Sequence, residues 1–147
     1  MIWVVNTNSN TCHIYNYQKS PEQLSLLKEI NHPENKLKTG DYFTSDKPGH
    51  YQTSSTTHGA FAPHTDPKEA AIDAFSREIA KELNHGRKIN SYNKLILISA
   101  PHMNGLVHHH LDKHVKDILT HNIEKDFLNL TDQELIVFLR ENTRFPE

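Results

Sequence analysis

The chain has few of the residues on which several common functions depend. Cys12 is the only cysteine in 147 residues, which excludes an internal disulfide framework and a zinc site built from several cysteines. The five glycines form neither a Walker-type loop nor a Gly-x-Gly-x-x-Gly motif, so no motif supports nucleotide binding. No apolar run approaches the length of a membrane span, and the opening MIWVV lacks the basic flank of a signal peptide. We therefore expect a cytoplasmic protein without membrane insertion.

The chain also lacks an excess of basic residues. Its 16 lysines and arginines are outnumbered by 18 acidic residues, for a net charge of −2 with neutral histidines. Proteins that bind a nucleic-acid backbone normally carry a basic excess. Contact with nucleic acid would therefore need a local basic patch.

The apolar pattern near the start and in the middle of the chain predicts strands. Residues 1–5, 11–17 and 24–30 are typical of short strands and would form an antiparallel meander. Lys94–Ser99 is a continuous apolar run, as expected of a central strand that helices cover on both faces.

Helices are predicted on both sides of that central strand. Asp66 can cap a helix with Pro67 at its first position and Glu69 as the capping-box acid, and Gly86 would end it. Pro101 and Gly105 predict a tight turn into a second helix, with a weak strand at 122–127 and a third helix after Thr131. We therefore expect one α/β domain over residues 1–147, a three-layer Rossmann-like domain in the order β-β-β-loop-α-β-α-β-α. Its mixed sheet would have about five strands with helices on both faces.

Residues 32–65 are predicted to form a long loop, because prolines, glycines and a Ser/Thr cluster interrupt every periodic pattern. Within it, Asp46-Lys47-Pro48-Gly49 could present backbone amides and a carboxylate together as a binding loop. The alternative is a structural turn. His58 and His64 could line the same surface.

A metal-like pattern of histidines lies in the second predicted helix. His110, His114, Asp117 and His121 follow each other at intervals of four, three and four residues, which would place them along one helical strip. The strip would span three turns of about 5.4 Å each, so the four side chains cannot close on one ion. A solvated or packed helix edge is the favoured interpretation, and we predict no metal site. The alternative is a two-ligand half-site, at His110 and His114 or at Asp117 and His121, that another chain or segment would complete. The same edge would allow a homodimer.

Nucleophilic catalysis has little support in the sequence. Cys12 and His13 are neighbours in a predicted strand and would point to opposite faces, so we expect Cys12 in the core. Ser99 ends the central strand, where α/β proteins often bind ligands, but it lacks the Gly-x-Ser-x-Gly elbow. His102 would lie at the rim. We identify no catalytic residue, cofactor or small-molecule substrate.

Four segments resemble the bacterial host attachment protein family, also described as release-factor-like. They are NHPENKLKTGDYFTSDKPG, HTDPKEAAIDAFSREIAKEL, YNKLILISAPHMNGLVHHHL and IEKDFLNLTDQEL, in the family's order and spacing. The resemblance implies a Rossmann-like fold, a ribosomal or tRNA partner, and a part in adhesion to host cells. The chain has no Gly-Gly-Gln tripeptide, so direct peptide release is not expected. It also has Val107-His108 where the family usually has an arginine after the Gly-Leu pair.

These observations lead to three functional hypotheses. The first is a non-catalytic binding domain with a ribosomal or tRNA partner. The second is a protein required for attachment to host cells. The third is a metal-dependent hydrolase that would use the histidine-rich helix.

Overall fold

The computed structural model describes residues 1–32 and 66–144, which form a mixed sheet flanked by helices. The strands in these residues are β1 (Ile2–Thr7), β2 (Thr11–Lys19), β3 (Glu22–Asn31), β4 (Lys94–Ser99) and β5 (Leu119–Ile123). The helices in the same residues are α1 (Pro67–Lys88), α2 (Pro101–His110), α3 (Lys113–Asp117) and α4 (Asp132–Asn142). The expected α/β fold is confirmed, and apart from His32 the predicted loop lies outside the described residues.

The five strands are ordered β3-β2-β1-β4-β5. β2 is antiparallel to β1 and to β3, which confirms the predicted meander. β4 is parallel to β1 and to β5, and Thr7 at the end of β1 lies opposite Ser99 at the end of β4. The three parallel strands therefore end at one side of the sheet, which we call the carboxyl edge.

Helices cover both faces of the sheet, as predicted. Leu95 and Leu97 of β4 face α1, α2 and α3 and pack in a core with Phe75. Ile96 and Ile98 point the other way and pack with Leu135 and Leu139 of α4. The alternation of side chains along a strand thus divides one apolar run between two cores.

The second predicted helix is in fact two helices. Leu111 has an extended backbone that ends α2, and the Asp112 carboxylate accepts a hydrogen bond from Val115 N–H and caps α3. The Asn84 side chain from α1 bonds the carbonyl of His110 and the N–H of Asp112, which fixes the break. An apolar stripe alone cannot reveal such a break, because α3 buries Val115 in the same core. The order of elements therefore contains one short helix more than predicted.

Several helices and strands also begin or end at residues other than those predicted. α1 continues past Gly86 to Lys88, and Glu69 bonds His102 instead of forming a capping box, while Asp66 caps the helix through Lys68 N–H. α2 begins directly at Pro101, without a preceding turn. β5 begins at Leu119 instead of residue 122, because Leu119 pairs with Leu95 of β4. The capping box of Thr131 and Glu134 is confirmed.

Two helical glycines give a matched stability test. A Cβ on Gly86 would lie 2.7 Å from Cη2 of Trp3, whose ring stacks on Tyr92, whereas a Cβ on Gly105 would meet nothing within 4 Å. We expect Gly86→Ala to destabilise the fold by about 1–3 kcal/mol through overpacking. Gly105→Ala should stabilise it by up to about 1 kcal/mol through helix propensity. Thermal or urea unfolding measures both changes, and a Gly86→Ala variant as stable as wild type would contradict the close packing.

Candidate functional site

The first turns of α1 and α2 lie at the carboxyl edge. α1 and α2 meet there through a 2.9 Å contact between Glu69 Oε1 and His102 Nε2. His32, which follows β3 at the same edge, stacks on Phe75 of α1 with ring centroids 5.1 Å apart. Open α/β sheets commonly bind ligands outside the carboxyl ends of their strands. A binding site is therefore expected at this edge.

A set of polar side chains lies on the α1–α2 side of this edge. We call it the carboxyl-edge cluster, and it consists of Ser99, His102, Asn104, His108 and Asn122. Asn104 and Asn122 exchange two amide hydrogen bonds of 2.8 and 3.1 Å, and His108 Nε2 lies 3.1 Å from Asn122 Oδ1. Asn122 and His102 are exposed, whereas Asn104 is buried. The Asn104–Asn122 pair thus joins a buried amide to an exposed one.

Ser99 is the most deeply buried member of the cluster. It is 0% exposed, and its hydroxyl makes no hydrogen bond within the described residues. A buried hydroxyl without a partner costs about 1–3 kcal/mol. The next residue, Ala100, is the N-cap of α2 and makes no side-chain cap. Helix N-termini attract anionic or hydrogen-bond-accepting groups, so this corner offers donors that the fold itself leaves unused.

A second chain of polar contacts crosses the α4 face of the sheet. The Tyr15 hydroxyl donates to Asp132 at 3.2 Å and lies 3.3 Å from His13 Nδ1, and His13 Nε2 lies 3.3 Å from Glu29. Burial and then the Asp132 carboxylate raise the pKa of Tyr15 above its usual range. Tyr15 therefore stays protonated and acts as a hydrogen-bond donor that ties α4 to the sheet.

Asn6 adds a further unsatisfied group on this second face. Its Nδ2 donates to the carbonyl of Phe127 at 3.2 Å, but its buried Oδ1 has no partner among the described residues. Asn6 lies directly opposite His13 in the β1–β2 pair. Both faces of the carboxyl edge therefore hold a buried polar atom that a ligand or partner could satisfy.

The binding residues predicted in the loop, Asp46, Lys47, Pro48, Gly49, His58 and His64, lie outside the described residues. The two described residues that flank the loop are His32 and Asp66. His32 lies at the carboxyl edge. Asp66 is the N-cap of α1, and its side chain accepts a hydrogen bond from Lys68 N–H. The loop is thus joined to the same edge as the carboxyl-edge cluster.

The predicted histidine strip does not exist as one helical face. His110 ends α2, His114 and Asp117 lie on α3, and His121 lies in β5. The prediction was wrong because Asp112 starts a new helix and Leu119 starts a strand. Within residues 1–32 and 66–144, no group of three or more His, Cys, Asp or Glu side chains is arranged to hold a metal ion.

His110 instead makes a specific contact with α1. Its Nε2 lies 2.9 Å from Asp73 Oδ1, and Arg77 Nη2 lies 2.6 Å from the other oxygen of Asp73. The hydrogen bond with His110 and the charges around it, including that of Arg77, hold the pKa of the Asp73 carboxyl below its usual range. This pair joins the end of α2 to the second turn of α1.

Sequence reasoning identified Ser99 and His102 as edge residues and missed the Asn104–Asn122 pair. Asn104 lies inside a helix and Asn122 in an edge strand, 18 residues apart. Nothing in the local sequence distinguishes an asparagine that meets a distant asparagine from one exposed to solvent. Only the packing of α2 beside β5 reveals the pair.

Comparisons with known proteins place the chain in a family. A family model described as "Protein required for attachment to host cells" matches residues 3–139. The chain belongs to this family. A protein of Rickettsia prowazekii (strain Madrid E), described as uncharacterized, is 35% identical to the chain over 92 residues. The match covers 60% of this chain and 61% of that relative. The family expected from the sequence is confirmed, whereas the likeness to release factors stays a prediction.

Among the described residues, no helix combines the length and the apolar character needed to cross a membrane.

Cys12 gives a direct test of the predicted core. The residue is 0% exposed in the core beside α1, and burial raises the pKa of its thiol to about 12. We expect the native protein to react with a thiol reagent at neutral pH only at the slow rate of unfolding, because the thiolate is the reactive form. The measurement is the rate of thiol modification with and without denaturant. Rapid modification of the native protein would contradict this burial.

Asp73 gives a test of the contact between α1 and α2. A carboxyl whose pKa is lowered by folding stabilises the protein above its unfolded pKa, and this stabilisation is lost as pH falls through the folded pKa. We expect Asp73→Asn to be less stable than wild type at neutral pH, with a difference that shrinks as pH falls below about 4. Urea unfolding between pH 3 and 7 measures it. A constant difference across this range would exclude the ionised Asp73 as the cause.

Proposed function

We propose that this protein is a binding domain that acts in attachment to host cells and contacts its partner at the carboxyl edge of the sheet. Membership of the family described as required for attachment to host cells supports the biological role. The observation that carries the location is the buried Ser99 hydroxyl, which has no partner in the described part of the chain. Ser99 lies two residues before Pro101, the first residue of α2, and at the same edge of the sheet as the exposed Asn122.

The arrangement suits binding better than covalent chemistry. The Asn104–Asn122 amide pair and the Ser99 hydroxyl are neutral groups that donate and accept hydrogen bonds. His102 contacts Glu69, and His108 contacts Asn122, but the Ser99 hydroxyl forms no hydrogen bond with a histidine among the described residues. A nucleophile needs a base within hydrogen-bond reach. The cluster therefore offers recognition through hydrogen bonds to a polar partner.

The test uses strains of the source bacterium in which the chromosomal gene is either deleted or exchanged for a variant. A deletion strain, an Asn122→Ala strain and an Asn129→Ala strain are compared with wild type for the number of cells bound to a host-cell layer. Asn122 and Asn129 are both exposed, and Asn129 lies outside the cluster. We expect the deletion to abolish attachment. Asn122→Ala should lower the affinity for the partner by about tenfold, the cost of one lost hydrogen bond in a desolvated contact, and fewer cells should therefore attach. Asn129→Ala should attach as wild type does.

The outcomes separate the role from its location. A deletion strain that attaches normally would sink the attachment role. If the deletion strain fails to attach but the Asn122→Ala strain attaches normally, the protein contacts its partner outside the cluster. Immunoblots must show equal amounts of both variant proteins, and cell fractionation establishes the compartment in which the protein acts.

Association with ribosomes or tRNA is the alternative that the likeness to release factors supplies. It predicts that the untagged protein sediments with ribosomes at low salt and is released at elevated salt, because contacts with phosphates weaken as salt rises. Recovery of the protein only in fractions without ribosomes, at both salt concentrations, would eliminate this alternative.

A further inference from the structure

A groove of about 460 Å³ lies along the outer face of α1, at the end away from the carboxyl edge. Its lining comes from α1 and from the junction of α2 and α3, and consists of Arg77, Lys81, Asn84, His85, Lys88, His110 and Asp112. Small-molecule sites have volumes of about 300–1,000 Å³. The groove is therefore large enough for a small ligand.

The wall of the groove is held in place by hydrogen bonds. Asn84 Oδ1 accepts from the Asp112 N–H at 3.0 Å, and Asn84 Nδ2 donates to the His110 carbonyl at 3.4 Å. The Asp112 carboxylate accepts from Val115 N–H at 3.0 Å. The amide of Asn84 and the carboxylate of Asp112 are thus engaged in supporting the α2–α3 junction.

The basic residues of the groove form one stripe on α1. Arg77, Lys81, His85 and Lys88 are separated by four, four and three residues, which places them on one helical face over about 16 Å. Lys81, His85 and Lys88 are exposed, and their side chains have no hydrogen-bond or ion-pair partner among the described residues. This is the local basic patch that the overall charge of −2 does not reveal.

The acidic groups near the stripe do not neutralise the two lysines. Asp73 is shared between Arg77 and His110, with contacts of 2.6 and 2.9 Å. Asp112 caps α3. Within the described residues neither Lys81 nor Lys88 forms an ion pair, so an anionic ligand would meet two ammonium groups on one side of the groove.

The spacing of these charges indicates the form of the anion. Lys81 and Lys88 are seven residues apart, about 10 Å along the helix axis, which favours an elongated anion over a single phosphate. Lysine ammonium groups bind phosphate as point charges. Among the described residues, no phenylalanine, tyrosine or tryptophan lines the groove, so it lacks the large aromatic rings on which the bases of single-stranded RNA commonly stack.

We propose that this groove binds a chain of linked phosphate groups, carried by a nucleotide or by free inorganic polyphosphate. Lys81 and Lys88 contact the two ends of the phosphate chain, and Arg77 and His85 lie along it. The site is separate from the carboxyl-edge cluster, so its ligand is distinct from the partner proposed for attachment.

The test is calorimetric titration of the full chain with inorganic tripolyphosphate in metal-free buffer, at low and at elevated salt. We expect saturable binding of one ligand that weakens as salt rises. Lys81→Gln and Lys88→Gln should each weaken binding by about tenfold, the effect of removing one charge-assisted hydrogen bond. Lys125→Gln makes the same change of charge at an exposed position outside the groove and should bind as wild type does.

A parallel titration with ATP distinguishes the two sources of the phosphate chain. Tighter binding of ATP than of tripolyphosphate assigns the groove to a nucleotide, and equal or weaker binding assigns it to free polyphosphate. Absence of saturable binding by both compounds would overturn the proposal. It is equally overturned if Lys125→Gln weakens binding as much as Lys81→Gln, or if a long RNA binds and tripolyphosphate does not compete with it. Equal melting temperatures of the variants establish that each one is folded.

Discussion

The burial of β4 is the constraint on which the rest of the structure depends. Its residues Leu95–Ile98 are all 0% exposed, and the strand pairs with β1 on one side and β5 on the other. Because its side chains alternate between two faces, helices must cover both faces to keep them from water. Because β4 is parallel to β1 and β5, the chain must return across a face between β4 and β5, and it does so through α2 and α3. The helices α1, α2 and α4 consequently begin on the side of the carboxyl edge, and α3 follows the end of α2.

This direction of the helices gives the two ends of the domain different chemistry. The carboxyl edge holds neutral hydrogen-bonding groups, among them Ser99, Asn104 and Asn122, next to the first turn of α2. The opposite end holds the second half of α1, where Lys81 and Lys88 lie beside the end of α2. One end is suited to recognising a polar partner through directional hydrogen bonds, and the other to recognising an anion through charge. A protein with a net charge of −2 can therefore carry a basic site without being a basic protein.

The predicted histidine strip was wrong because a periodic apolar pattern does not reveal a break between two helices. An apolar stripe through Val107, Leu111 and Val115 predicts one continuous helix, and all three residues are indeed buried in one core. The break between α2 and α3 keeps that burial and changes only the direction of the backbone. It depends on Asn84, which lies 26 residues before His110 and bonds the backbone on both sides of the break. The four residues of the predicted strip are consequently divided among three elements.

The sequence by itself determined the fold class, the antiparallel meander, the buried central strand, the capping box at Thr131 and the family. Each of these depends on neighbours in the chain, because strand alternation, helix capping and segment order are local properties. The tertiary structure alone decided which side chains share a site. The Asn104–Asn122 pair, the Asp73–His110 contact and the wall of the basic groove join residues 18 to 37 positions apart. Such contacts depend on how α1, α2 and β5 pack, and no local pattern specifies that packing.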